Sequence, residues 1–135
     1  MHGLHDMPVD AALADPLASA PDAPWQPRLR AVAAALTGGT RLDARGVRAG
    51  FSVGVRAIES CPTALLLAFS HRDRPIGERL SLVRACGGDT DTIGAMAGAI
   101  WGAYRGLQAV PRQEWTRIKD CERICAVAQA LHARA

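Results

Sequence analysis

Aromatic residues are scarce in this 135-residue chain, at 4% of the sequence, although hydrophobic residues make up 49%. Ala, Leu and Gly dominate the apolar set, and Val and Ile are modest in number. β-branched and aromatic side chains suit strands, whereas Ala and Leu favour helices. The composition therefore argues against a sheet-based fold and predicts an all-α protein, of a length that fits one domain.

The excess of positive charge is also small, with a net charge of only +3 at pH 7. The arginines occur in loose groups without interleaved aromatic residues, unlike the dense basic footprint of a nucleic-acid-binding surface. We therefore expect no nucleic-acid partner. We interpret the arginines as a solvated surface, and the alternative is mild attraction of an anionic ligand such as a pyrophosphate.

The four cysteines form no Cys-x-x-Cys pair, and no histidine lies at zinc-finger spacing from them. Cys121 and Cys125 share one face of a predicted helix, where we interpret them as small hydrophobic residues rather than zinc ligands. The first residues lack the basic and apolar regions of a secretory signal, and no apolar run approaches ~20 residues. These absences predict a cytoplasmic location and no membrane span.

Proline and aspartate are concentrated in residues 1–23, which predicts a flexible N-terminal tail with room for a short helix around Val9 to Leu13. Residues 24–135 carry the helical signals. Asp43 is a predicted N-cap, and Val47, Phe51 and Val55 follow at intervals of four with their side chains expected in the core. The other predicted helices cover residues 25–36, 62–69, 76–86, 91–105 and 118–133. Ile118 and Leu131 are expected to face inward.

Two carboxylates lie two residues apart in the segment Gly87-Gly88-Asp89-Thr90-Asp91-Thr92, at the start of a predicted helix. Carboxylates about 4 Å apart repel by ~1 kcal/mol in water and by ~4 kcal/mol at an effective dielectric constant of 20. The helix dipole stabilises each carboxylate by only ~0.3–1 kcal/mol, which is less than the repulsion between them in a partly buried site. A divalent cation would reverse the balance, since carboxylates with a Thr hydroxyl supply the oxygen ligands that Mg²⁺ prefers. Simple helix capping by Asp and Thr is the alternative.

Small residues fill the helix that follows this segment. Two rows with a four-residue interval contain Gly94, Gly98, Gly102 and Gly106, and Ala95, Ala99 and Ala103. Such a helix is intrinsically weak and is stable only when its surface packs closely against other elements. We therefore predict a central helix that holds Asp89 and Asp91 in a fixed place, as a metal site requires.

The segment from Gly87 to Thr92 and its Gly/Ala helix resemble the C-terminal metal motif of the ADP-ribosylglycohydrolases. Upstream, Ile58 to Leu65 is similar to the family's Glu-Ser-Val-Pro-Thr-Ala segment, and Val110-Pro111 with Trp115 also fits. The last helix, ending at His132, resembles the end of the serine-specific ADP-ribosylhydrolase branch. The similarity covers about residues 24–134.

This resemblance implies the C-terminal portion of an all-α bundle that hydrolyses ADP-ribose from protein side chains or related conjugates. It also implies a centre of two Mg²⁺ ions, with Asp89, Asp91 and Thr92 at metal-binding positions and Val55 at a position that contacts ADP-ribose. The family's Gly-Asn-Gly-Ile motif is Ser52-Val53-Gly54-Val55 in this chain.

The family's N-terminal half, with its Thr-Asp-Asp metal cluster and the catalytic Glu of the serine-specific branch, has no counterpart in residues 1–135. Residues 24–135 therefore correspond to a C-terminal segment, and the catalytic residues are expected in the absent half. A chain that carries this half, or self-association, would have to complete the site. A non-catalytic remnant that keeps one metal-binding corner, and a generic helical interaction domain without a Mg²⁺ effect, are the alternatives.

Overall fold

Helices make up the secondary structure of this protein in a computed structural model that describes residues 8–19, 24–39 and 41–134. The described residues contain no strand, so the predicted all-α class is confirmed. Within these ranges, a 3-10 turn covers Leu107–Ala109. The eight α-helices of the described residues are α1 (Val9–Ser19), α2 (Trp25–Thr37), α3 (Ala44–Gly50), α4 (Ala57–Ser70), α5 (Ile76–Cys86), α6 (Thr90–Arg105), α7 (Arg112–Trp115) and α8 (Cys121–His132).

Helix α1 lies where the sequence predicts a tail, and it is longer than the short helix expected around Val9 to Leu13. Its Leu13 is only 2% exposed and belongs to the hydrophobic core. The side-chain amide of Gln26 donates a hydrogen bond to the Leu17 carbonyl at 2.8 Å, which ties α1 to the start of α2. Packing against α2 stabilises a segment whose proline content disfavours a helix on its own. Residues 1–7 and 20–23 of the expected tail lie outside the described residues.

The predicted N-cap of α3 is present. The Asp43 carboxylate accepts a hydrogen bond from the backbone N–H of Gly46 at 2.7 Å. Val47 is buried, whereas Val55 is 78% exposed and does not face the core as its spacing predicted. Helix α3 ends at Gly50, so the four-residue interval no longer describes a helix face beyond Phe51.

Helices α4 and α6 form the centre of the core. The side chains of α4 are buried along most of its length, and Ile93, Ala97 and Trp101 are the buried larger residues of α6. The indole N–H of Trp101 donates to the Arg72 carbonyl at 3.2 Å, just after the end of α4. Helix α5 covers one side of α6 and connects to α3, where an Arg48 guanidinium nitrogen donates to the Ala85 carbonyl at 2.6 Å.

Helix α8 has no buried residue, which contradicts the prediction that its apolar side faces the core. Ile118 is 54% exposed and Leu131 is 64% exposed, and Ile124 and Val127 are also exposed. The predicted helix period is correct, but no element in the described part of the chain packs extensively against α8. No helix among the described residues has the length and apolar character that crossing a membrane requires.

The glycine row of α6 is close-packed at only one of its helical positions. A Cβ atom at Gly94 would meet the side chains of Val83 and Leu80 at ordinary contact distance. A Cβ atom at Gly98 or Gly102 would meet no atom within 4 Å. Helix α6 is therefore central, as predicted, but the half-buried positions of Gly98 and Gly102 leave room for additional side-chain atoms.

Candidate functional site

The connection between α5 and α6 depends on two glycines with left-handed backbone. Gly87 and Gly88 both have φ of 70°, a conformation that residues with a side chain rarely adopt. A Cβ atom at Gly88 would also collide with the carbonyl oxygen of Val53. Only glycine therefore allows the chain to turn from α5 into α6 while it touches the backbone before α4.

The first residue of the acidic pair is held by the same contact. The backbone N–H of Asp89 donates a hydrogen bond to the Val53 carbonyl at 2.8 Å, and its own carbonyl accepts from the Ile93 N–H at 3.0 Å. Asp89 occupies the N-cap position of α6, yet its carboxylate makes no capping hydrogen bond. The capping alternative for Asp89 is therefore not supported.

The two carboxyl groups are adjacent at the positive end of the α6 dipole. A hydrogen bond with the Asp89 carboxyl group holds the pKa of Asp91 below its usual value, and the backbone N–H groups of Thr92 and Asp91 act in the same direction. Asp91 and Thr92 are exposed and Asp89 is half-buried. A cation at this position would interact with both carboxylates.

The donor set suits one side of a magnesium site. Asp89, Asp91 and Thr92 offer carboxylate and hydroxyl oxygens, which are the hard ligands that Mg²⁺ takes in proteins. No group of three or more His, Cys, Asp and Glu side chains with metal-binding geometry occurs within the described ranges. Further ligands to such an ion would therefore come from water or from a segment outside these ranges.

The loop that carries Val55 is fixed from two sides. The Thr63 hydroxyl in α4 donates to the Ser52 carbonyl at 2.6 Å, and the Asp89 N–H binds the next carbonyl, that of Val53. Because these contacts hold the preceding backbone, the exposed Val55 side chain lies on the loop next to the acidic pair. The structure thus brings the four predicted site residues into one region, although their binding roles stay a prediction.

Glu59 contacts both ends of the segment from Gly54 to Arg56. Its Oε2 atom accepts a hydrogen bond from the backbone N–H of Arg56 at 3.3 Å, at the start of α4. A Cβ atom at Gly54 would collide with the Glu59 carboxylate, so a side chain at position 54 would displace this carboxylate. Glu59 thus makes a hydrogen bond at the start of α4. The sequence did not predict the contacts of Thr63 with Ser52 and of Gly54 with Glu59, because each joins α4 to the loop before it.

Comparison with known proteins identifies the family. The chain matches the ADP-ribosylglycohydrolase family over residues 2–135, and it therefore belongs to this family. It is similar to ADP-ribosylhydrolase ARH3 from Homo sapiens, with 38% identity over 92 residues that cover 58% of this chain and 24% of the human protein. ARH3 from Bos taurus is 37% identical over 92 residues, with the same coverage. ARH3 from Xenopus tropicalis is 41% identical over 68 residues, which cover 43% of this chain and 19% of the frog protein.

These relatives are much longer than the matched segment, since the chain spans about a quarter of the human protein's length (24%). The family resemblance inferred from the Gly87–Thr92 segment is confirmed by the match.

Proposed function

We propose that this chain forms the C-terminal part of an enzyme that hydrolyses ADP-ribose from modified protein side chains or from related ADP-ribose conjugates. The observation that carries this proposal is the hydrogen bond from the Asp89 N–H to the Val53 carbonyl. This bond holds the acidic pair and the Val55 loop together, so that metal and substrate contacts would adjoin. Family membership and the similarity to proteins named ADP-ribosylhydrolase support the activity.

Asp89, Asp91 and Thr92 are the residues that would hold Mg²⁺. Two adjacent carboxylates and a hydroxyl, all at the positive end of a helix, gain from a bound divalent cation because it relieves their mutual repulsion. When bound, magnesium would supply positive charge that orients and polarises oxygens of the substrate. The resemblance implies two such ions in a complete site. Val55 would provide an apolar contact to ADP-ribose from the neighbouring loop.

The site would be completed by a chain that carries the family's N-terminal half, or by a second copy of this chain. Two surfaces support this proposal. The first is the Gly98–Gly102 surface of α6, where a Cβ atom at either glycine would meet nothing within 4 Å in the described part of the chain. The second is the apolar side of α8, with Ile124, Val127 and Leu131, which is exposed. Exposed apolar surface of this kind is typical of an interaction site.

A non-catalytic module that keeps one metal-binding corner is the second candidate function. The small number of acidic ligands within residues 8–19, 24–39 and 41–134 favours it, as does the exposed side of α8. Such a module would bind Mg²⁺ and a partner without releasing ADP-ribose.

The deciding experiment measures release of free ADP-ribose from a serine-ADP-ribosylated peptide by the purified 135-residue chain, with Mg²⁺ and with a chelator. We expect release to require Mg²⁺ and to be lost in Asp91→Asn, while Glu122→Gln on the exposed side of α8 keeps it. The same assay is repeated after addition of a chain that carries the family's N-terminal half. Absence of release from folded protein under both conditions would exclude the catalytic proposal.

Metal binding is measured separately by thermal unfolding. We expect Mg²⁺ to raise the unfolding temperature of the unaltered chain and of Glu122→Gln, because an ion that binds only the folded state stabilises it. Asp91→Asn should remove this effect. An effect of Mg²⁺ without ADP-ribose release would support the non-catalytic module. A chain that shows no effect of Mg²⁺ would instead be a generic helical domain.

A further inference from the structure

The turn of residues 71–74, here called the α4–α5 turn, is joined to the segment before α3 by two contacts. The Nε2 atom of His71 lies 3.2 Å from the Leu42 carbonyl oxygen. Two residues further along, the Asp73 carboxylate binds the Arg41 guanidinium at 2.7 Å. This ion pair is exposed, whereas His71 is only 6% exposed. Exposed ion pairs contribute little stability, so His71 is the main attachment of the turn on this side.

A third contact joins the same turn to α6. The indole N–H of Trp101 donates to the Arg72 carbonyl at 3.2 Å, and the Trp101 side chain is buried. Movement of the α4–α5 turn away from α6 would break this hydrogen bond. The indole N–H of Trp101 therefore reports whether the turn is closed.

His71 is buried with one ring nitrogen unpaired. A carbonyl oxygen only accepts hydrogen bonds, so Nε2 donates to Leu42 and carries the proton of the neutral ring. Nδ1 is buried and has no hydrogen-bond partner among the described residues. A proton on Nδ1 would therefore create a buried donor and a buried positive charge without an acceptor, which is costly.

The cations around His71 add to this cost. Desolvation lowers the pKa of His71 below 6.5, the Leu42 hydrogen bond opposes this shift, and the charges of Arg74, Arg41 and Arg79 lower the pKa further. The closed turn therefore favours the neutral ring.

The other groups beside His71 do not compensate the charge of a protonated ring. The Asp43 carboxylate accepts from the Gly46 N–H at 2.7 Å, and the Glu78 carboxylate binds Arg74 at 3.2 Å. The α6 residues beside His71 have no charge and are Gly94, Ala97 and Gly98. A protonated ring would thus gain a hydrogen-bond partner for Nδ1 only by reaching water.

We propose that protonation of His71 opens the α4–α5 turn. Nδ1 meets water only when the turn leaves its closed position, so proton uptake and opening occur together. Because burial lowers the pKa of His71 in the closed state, the closed turn is stabilised above about pH 6.5 and loses this stabilisation as pH falls. Each unit by which closure lowers the pKa allows up to tenfold more opening in acid.

The opening is local, because the hydrophobic core does not include the residues of the turn. Helices α4 and α6 can stay packed while the turn moves. This inference is independent of the ADP-ribose hydrolysis proposed above.

Hydrogen exchange of the Trp101 indole N–H, followed by NMR on the unaltered 135-residue chain, tests the opening. Protection is expressed relative to free indole at the same pH. We expect the protection of Trp101 to fall several-fold between about pH 7.5 and about pH 5, the range in which histidine titrates. Trp25 and Trp115 lie outside the turn, and their half-buried indole N–H groups should show no such step.

Two further readouts of the same protein separate local opening from unfolding. At every pH the Trp101 indole should be less protected than the backbone N–H groups of α6, which exchange by global unfolding. The midpoint of the Trp101 step should also coincide with the titration of the His71 ring signals. Equal protection of the indole and the α6 backbone, absence of the acid step, or a midpoint that follows another histidine would overturn the proposal.

Variants assign the step to His71 rather than to the neighbouring ion pair. His71→Gln keeps a donor for the Leu42 carbonyl but cannot take up a proton, so its acid step should disappear. Asp73→Asn removes the ion pair and should keep the step, because Arg41 holds the pKa of Asp73 below 3.8 and this carboxylate does not titrate in the range. His132→Gln, on exposed α8, should also keep the step. A folded His71→Gln variant that retains the step would contradict the proposal.

Discussion

Gly88 is the residue on which the candidate site depends most directly. It combines a positive φ with contact to the Val53 carbonyl, and the next residue donates a hydrogen bond to the same oxygen. A side chain at position 88 would therefore force the acidic pair away from the Val55 loop. The Gly-Gly pair is recognisable in the sequence as a helix break, but its partner could not be predicted because Val53 is 35 positions upstream in the sequence.

Replacement of Gly88 by Ala is predicted to destabilise the fold by roughly 1–3 kcal/mol, because alanine is strained at this φ and its Cβ atom meets Val53. Urea unfolding followed by circular dichroism measures the change. Gly50→Ala is the control, since a Cβ atom at this exposed position meets nothing within 4 Å. Equal stability of the two variants would show that the contact with Val53 is not maintained in solution.

His71 gives the protein a defined pH dependence. Desolvation lowers its pKa in the folded state below the value of 6.5. Between these two pKa values the unfolded chain binds more protons than the folded one, so the free energy of unfolding rises with pH. The stabilisation is complete above about pH 6.5 and is lost as pH falls through this range.

The measurement is urea unfolding at a series of pH values in buffers without phosphate. We expect His71→Gln to flatten the profile below pH 6.5 and His132→Gln to leave its shape unchanged. A profile of the unaltered chain that falls with rising pH in this range would contradict the burial of a neutral His71.

At the scale of the elements, capping residues, glycine pairs and apolar runs predicted where most helices lie. They did not predict which helices pack against one another. Asp43 marked the start of α3, the Gly-Gly pair separated α5 from α6, and the apolar run from Pro62 to Phe69 lies within α4. The predictions that failed concern burial, since the inward side of α8 is exposed and the expected tail contains α1. Capping and periodicity depend on nearby residues, whereas burial depends on elements that are distant in sequence.

Helix α3 has only seven residues, and a helix this short is marginally stable on its own. We therefore expect its N-cap residue, Asp43, to contribute to the free energy of unfolding. Asp43→Ala should lower the free energy of unfolding by ~1 kcal/mol, within the range of ~0.5–2 kcal/mol for lost caps. Asp43→Asn should cost much less, because asparagine also accepts the hydrogen bond from the Gly46 N–H. Urea unfolding of the two variants side by side measures the difference. Similar losses in both would assign the effect to the charge of Asp43 rather than to capping.

At the scale of the whole molecule, α4 separates two polar regions of different character. The acidic pair and the Val55 loop adjoin its first turn, and a cleft lined by Leu42, His71 and Arg79 follows its last turn. The family resemblance predicted the residues of the first region because they lie in two short motifs, Ser52–Val55 and Gly87–Thr92. The second joins Leu42, His71 and Arg79 from three separate segments, and a buried arginine has no signature in a helical pattern. The sequence therefore predicted only a solvated surface for the arginines of this region.

The exposed side of α8 leads to the last prediction, which concerns assembly. Ile124, Val127 and Leu131 are more than half exposed, at 55%, 53% and 64%, and they line one open groove with Lys119 and Arg123. In the absence of another partner, apolar surface of this kind favours contact between copies of the chain. We expect the purified chain to sediment as a species larger than its 14.3 kDa monomer, with a proportion that increases with concentration.

Replacement of these three residues by Gln should shift the protein toward the monomer while its helical content is kept, because none of the three side chains contributes to the core. Glu122→Gln with Gln129→Ala changes other exposed positions of α8 and should leave the association unchanged. Sedimentation velocity over a range of concentrations measures both. A chain that is monomeric at every concentration would mean that the exposed side of α8 does not mediate contact between copies of this chain.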